Sequence, residues 1–183
     1  MAGYVVVLDA NVLYGIEVTD LFATMATRRL FRPHWSPHIL DEVVRNLALR
    51  RDLSPDAIAR RLEYLNRALP GALAEVPSDL VEAMPINEKD RHVLALAVHV
   101  GAPTIVTDNV RDFPQDLLEP YGIEAVNADA FALAQVDLHR EGVIGAVEAI
   151  AARRRRPPKT PDAIVDALAR YLPEAMAALR STA

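Results

Sequence analysis

The sequence predicts an α/β sandwich built on a short, mostly parallel sheet, and three observations predict it. Tyr4 to Leu8 is an unbroken apolar run rich in β-branched residues that ends at Asp9, the pattern of a strand buried on both faces. Thr104 to Thr107 and Ile123 to Val126 repeat the short-strand pattern, the former ending at Asp108. Between these runs lie segments with helical periodicity and helix-start signals, so strands and helices alternate.

In chain order, Thr19 is placed to cap a helix running to about Arg29, with Leu21, Phe22, Met25 and Ala26 at helical spacing. Ser36 before Pro37 is an N-cap with proline at the first helical position. Leu40, Val43, Val44 and Leu47 then form an apolar stripe, and Glu42 falls to one side with His38 and Asn46. Ser54 and Pro55 repeat the start signal for a helix to about Leu69, where Pro70 and Gly71 stop it. Residues 71–85 read as neither element. Asn87 caps a nearly all-apolar helix ending at Gly101, the kind enclosed by other elements, and a helical piece lies around Gln115 to Glu119. Asp129 to Arg153 reads as helix, with a break expected near Gly142 and Gly145. Arg153 to Thr160, with four consecutive arginines and two prolines, reads as a linker. Thr160 then caps a last helix, Pro161 to about Arg180, whose docking face is Ile164, Leu168, Tyr171, Leu172 and Leu179.

Composition narrows the function. A chain of 183 residues suits one domain with a small appendage. The absence of cysteine excludes disulfide scaffolds, zinc ribbons and thiol nucleophiles. No run approaches the roughly 18 apolar residues of a membrane span, and the N-terminus does not read as a signal peptide, so a soluble cytoplasmic protein without membrane partners is expected. The net charge of -5 conceals a pattern. Residues 28–67 carry nine arginines against five acids and residues 150–183 seven bases against three acids, whereas residues 68–149 carry four bases against fourteen acids.

Ligands of such sheets bind at the carboxyl ends of the strands, where Asp9 and Asp108 are expected. Asp90 opens the apolar helix, and Glu42 lies on the flank of its own. Four acids converging on one cleft repel one another unless a cation neutralises them, and hard oxygen ligands suit Mg²⁺ or Mn²⁺. Taken singly, each also has an ordinary reading as a turn, cap or solvated residue. The histidines read as structural or surface residues. The arginines of residues 28–67, Arg45, Arg50 and Arg51 among them, read either as a track for a nucleic-acid backbone beside the acids or as solvated helix faces. Neither GxGxxG nor GxxxxGK[ST] occurs, which disfavours dinucleotide and nucleoside-triphosphate enzymes. A magnesium-dependent phosphatase of the haloacid-dehalogenase type needs a second Asp where Asn11 stands.

The runs VVVLDANVLY (Val5 to Tyr14), WSPHILDEVVRNL (Trp35 to Leu47), NEKDRHVLALAVHVGA (Asn87 to Ala102) and TIVTDNVRDFP (Thr104 to Pro114) together resemble a PIN-domain ribonuclease. More narrowly, they resemble the branch that includes VapC-type toxins of toxin-antitoxin pairs. The resemblance covers roughly residues 4–130 and implies a three-layer α/β/α sandwich in residues 1–130. Residues 131–183 are then a helical extension, with the Arg/Pro-rich linker near 153–160. It implies that Asp9, Glu42, Asp90 and Asp108 hold divalent metal, that Asn11 and Thr107 support them, and that Asp112 is a further acid of the site. It implies cleavage of single-stranded RNA by metal-activated water, leaving a 5′-phosphate and a 3′-hydroxyl. It also implies a homodimer and a small cognate antitoxin whose C-terminal segment blocks the cleft. A free-standing RNA-processing PIN nuclease and a non-catalytic PIN-like binding module are the alternatives within the fold.

Overall fold

The computed structural model describes residues 3–181. Four parallel strands, β1 (Val5–Leu8), β2 (Arg32–His34), β3 (Thr104–Val106) and β4 (Glu124–Val126), form one sheet in the order β2-β1-β3-β4. The order reverses between β1 and β3. Open parallel sheets have their ligand crevice at such a point, beyond the carboxyl ends of the two strands. β2 has no counterpart in the expected strands, because Pro33 and its polar neighbours interrupt any apolar run. An edge strand tolerates proline, and Pro33 pairs with Val6 in register.

β1 leads into two short-linked helices, α1 (Ala10–Tyr14) and α2 (Ile16–Thr27). The helix expected to start at Thr19 therefore begins earlier. Asp9 caps α1 instead, and Thr19 is buried inside α2, where its hydroxyl donates to the Leu13 carbonyl at 3.0 Å. α3 (Pro37–Ala48) and α4 (Pro55–Ala68) start where Ser36 and Ser54 cap them, each accepting a backbone N–H three residues on. The ambiguous 71–85 stretch holds a bridge between Leu73 and Trp35 and one short helix, α5 (Ser78–Glu82). A single 3-10 turn, Glu88–Asp90, separates Asn87 from α6 (Arg91–Val100), which Gly101 ends at φ 66°. α6 packs on β1 and β3. α7 (Gln115–Leu118) precedes β4.

α8 (Ala128–Arg153) does break, but at His139 (φ -141°, ψ 41°) rather than at its glycines. Gly142 permits close packing instead. A Cβ at Gly142 would lie 3.1 Å from the Leu30 side chain, whereas one at Gly145 would meet only the movable Arg28 guanidinium. α8 thus presses against α2, and edge-to-face contacts among Phe22, Phe31 and Phe131 fill the seam at centroid distances of 5.0 to 6.2 Å. The last segment is two helices, α9 (Pro161–Leu168) and α10 (Pro173–Arg180), because Pro173 forces a restart. Ile164, Leu168 and Leu172 are buried as expected, while Tyr171 is 54% exposed and leaves the docking face.

Candidate metal centre

Asp9 follows β1, and Thr107 and Asp108 follow β3, so the sheet joins residues 98 positions apart in sequence. Asp9 is held by three donors. Its Oδ1 accepts the Ala10 N–H at 2.7 Å, and its Oδ2 accepts the Thr107 hydroxyl at 2.7 Å and the Asn11 Nδ2 at 2.8 Å. Asn11 completes the staple, donating also to Thr107 Oγ1 (3.0 Å) and accepting the Asp108 N–H (3.0 Å). Asn11 and the fully buried Thr107 therefore fix one carboxylate and tie the ends of β1 and β3 together.

Glu42, from the middle of α3, and Asp90, from the turn before α6, meet Asp9 in a cleft of about 310 Å³ that Arg45, Asn46 and Lys89 also line. Burial pushes all three carboxyls above their ordinary pKa values. Like charges add to it: Asp108 acts on Asp9, Asp9 and Asp90 act on Glu42, and Asp112 and Asp9 act on Asp90. The hydrogen bonds to Asp9, Arg45 beside Glu42, and Lys89 beside Asp90 oppose the shift. Asp90 Oδ2 is buried and accepts no hydrogen bond. Three crowded carboxylates, one oxygen of which accepts no hydrogen bond, form a hard-donor set that fits a divalent cation.

Asp108 and Asp112 sit on an adjoining rim. Asp108 Oδ1 accepts the Ala128 N–H at 3.3 Å at the start of α8, and both acids line a neighbouring depression with Asn127. Lys89 joins the two areas, with Nζ 2.8 Å from Asp112 Oδ2 and 3.7 Å from Asp90 Oδ2. The arginines divide. Arg45 faces the cleft, 3.8 Å from Glu42. Arg50 makes two hydrogen bonds to Asp52 (3.0 and 2.6 Å), Arg51 is exposed beyond the end of α3, and Arg61 reaches inward to the Leu13 carbonyl at 2.7 Å.

Two histidines missed by the sequence reasoning stand beside Glu42. His92 Nε2 lies 3.4 Å and His38 Nε2 4.0 Å from Glu42 Oε1, and the two rings stack at 3.8 Å. Burial lowers the pKa of His92 to about 4, with His38 and Arg45 adding to the effect. The signal was half present: Glu42 shares a helix side with His38, but nothing in the sequence brings α6 to that side.

Residues 5–111 match the sequence model of the PIN domain, which covers more than half of the chain. The chain belongs to the PIN-domain family. Residues 128–181 match the VapC50 C-terminal domain, which in this structure is α8 to α10. A protein of Mycobacterium tuberculosis (strain ATCC 25618 / H37Rv) named "Putative ribonuclease VapC50" is 42% identical over 103 residues, 56% of this chain and 61% of that protein. The PIN domain and the C-terminal domain meet at the β4–α8 junction, where Asp108 receives the first N–H of α8 and Asp129 caps α10 through the Glu174 and Ala175 N–H groups at 3.0 Å. A boundary at residue 130 would fall within the first turn of α8.

Proposed function

We propose that this PIN-domain protein is a Mg²⁺- or Mn²⁺-dependent endoribonuclease acting on single-stranded RNA, and the toxin of a toxin-antitoxin pair. The observation that carries the reading is the crowding of Asp9, Glu42 and Asp90 at the sheet's switch point, where the buried Asp90 Oδ2 accepts no hydrogen bond and only Lys89, at 3.7 Å, pairs with it. The similarity to a VapC50-named ribonuclease supports the toxin assignment. In this reading Asp9, Glu42 and Asp90 would hold the cation, Asp108 would join them from the rim, and the ion would supply a water nucleophile at neutral pH together with charge against the phosphate. Asn11 and Thr107 hold Asp9 in place. Arg45 and Lys89, both at the cleft, offer positive charge to the RNA backbone, while Arg51, and Arg50 if it leaves Asp52, would extend that track beyond the end of α3. Asp112 keeps Lys89 at the rim. The proposed organisation is a PIN nuclease domain to about residue 130 and a helical extension beyond it, in a cytoplasmic homodimer held inactive by a small antitoxin.

The test is cleavage of a single-stranded RNA panel with Mg²⁺, Mn²⁺ or EDTA, comparing the wild type with Asp9→Asn and Asp90→Asn. Metal-dependent cutting that both substitutions abolish is expected. Activity that survives EDTA and both substitutions sinks the proposal, and hydrolysis of a phosphate monoester without RNA cleavage would replace it with the phosphatase reading. Expression of the chain alone should arrest growth, and co-expression of its antitoxin should relieve the arrest.

A further inference from the structure

Glu42 faces two chemistries. On one side stand the oxygen donors Asp9 and Asp90; on the other, the nitrogens of His38 in the first turn of α3 and His92 in the first turn of α6. One ligand atom from each of His38, Glu42 and His92 lies within 4.8 Å of the other two. Ligands around a tetrahedral zinc, at bond lengths of about 2.0–2.2 Å, stand roughly 3.3 Å from one another. The 3.4 Å between His92 Nε2 and Glu42 Oε1 matches that, and the 4.0 Å from His38 Nε2 is somewhat wider. His92 is anchored, its side chain only 5% exposed. The two rings stack 12° from parallel, so their lone pairs do not converge on one point as they stand. The His38 side chain is 55% exposed, and joining a common ion requires its ring to turn out of the stack on His92.

We propose that His38, Glu42 and His92 form a second, inhibitory site for a borderline-soft divalent ion of the zinc class. Imidazole nitrogens favour zinc, copper and nickel, whereas magnesium and manganese prefer oxygen, so the two sides of Glu42 select different ions. Two histidines and one glutamate leave a fourth position for water. Glu42 has one negative charge to share, and two dications a few ångströms apart repel each other, so an ion held by the histidines weakens binding at Asp9 and Asp90. The inhibitory consequence rests on the nuclease reading; the site itself does not. Antagonism is reciprocal, and Mn²⁺ at the carboxylates weakens zinc binding by the factor by which zinc weakens Mn²⁺.

The experiment uses the untagged full chain, with Zn²⁺ binding followed by calorimetry and Co²⁺ as a spectroscopic stand-in. One Co²⁺ per chain with the visible bands of a four-coordinate nitrogen- and oxygen-ligated ion, displaced by Zn²⁺, is expected. His38→Ala, at an exposed position, should weaken Zn²⁺ at least about 10-fold and leave Mn²⁺ binding unchanged. His92→Gln, checked for folding by circular dichroism, should weaken it likewise. Zn²⁺ should inhibit RNA cleavage by the wild type at concentrations that leave His38→Ala active. Equal Zn²⁺ affinity in the wild type and both variants overturns the site. Zinc binding that does not compete with Mn²⁺ overturns the sharing of Glu42. If Zn²⁺ binds as expected and no metal supports RNA cleavage, the nuclease reading fails while the site stands.

Discussion

The cleft at the carboxyl ends of β1 and β3 and the three C-terminal helices use the same residue types to opposite effect. In the helices, charge satisfies backbone: Asp129 caps α10 through two N–H groups, and Arg140 donates to the carbonyls of Ala178 and Leu179 that close it. Arg153 and Arg154 both pair with Asp20 at 2.9 Å, pinning the end of α8 to α2. In the cleft, Asp9, Glu42 and Asp90 crowd together with raised pKa values, and one buried oxygen of Asp90 accepts no hydrogen bond. Compensated charge marks a device for holding the fold. Crowded carboxyls whose pKa values stay raised, with Arg45 and Lys89 offsetting only part of the burial and repulsion, mark a candidate ligand site.

Substitutions should separate the two regions, and the largest effect belongs to the cleft. Asp90→Asn should lower RNA cleavage at fixed Mn²⁺ by at least about 10²-fold, since even residues that only support metal ligands are worth 10- to 100-fold. Its metal-free melting temperature should stay level or rise, because one like charge leaves the cluster; a large fall would make Asp90 a structural residue. Met176→Ala, at a fully buried position of α10, should do the reverse, destabilising by about 2–5 kcal/mol in chemical denaturation while kcat per folded molecule holds. A matching loss of kcat would show that the helices shape the cleft.

Histidine protonation gives an intermediate effect. Buried His92 has a folded pKa of about 4 against an ordinary 6.5, so its contribution is fully present above 6.5 and is lost as pH falls toward 4. The raised carboxyls act with the opposite sign: their stabilisation is present below the unfolded values near 4 and is lost as pH rises through the folded ones. Subtracting a His92→Gln melting series from the wild type, both metal-free, cancels much of the carboxylate part. The difference should show a wild-type loss of a few kcal/mol between pH 6.5 and 4. A flat difference would mean that His92 is protonated or solvated in the fold. The smallest effect is expected for Asp129→Ala, which removes the cap of α10 at about 1 kcal/mol. If that variant also slows cleavage, the β4–α8 junction transmits the helix position to Asp108.

Much of this was legible in the chain because the signals were local. Ser36, Ser54 and Thr160 announce their helices with one side chain and the N–H three residues on, and they do so here. The motifs placed Asp9 and Asp108 at strand ends. Other features were not legible because their causes are distant. β2 exists because Val6 offers it an edge, not because Arg32, Pro33 and His34 favour a strand. Gly142 and Gly145 read as breakers, yet the helix runs through both, and Gly142 proves to be a contact point for Leu30 of the turn after α2. His92 read as structural, and only the docking of α6 beside α3 sets it against Glu42.

The sequence by itself determined the parallel α/β class and the candidate acids, because short buried strands and helix caps are properties of neighbouring residues. The tertiary structure decided which acids share one cleft. Asp9, Glu42 and Asp90 converge there, while Asp108 turns to the first N–H of α8 and Asp112 to Lys89. That choice depends on the direction of each side chain and on its competing hydrogen-bond partners. Those partners lie across the fold, beyond the reach of any local pattern.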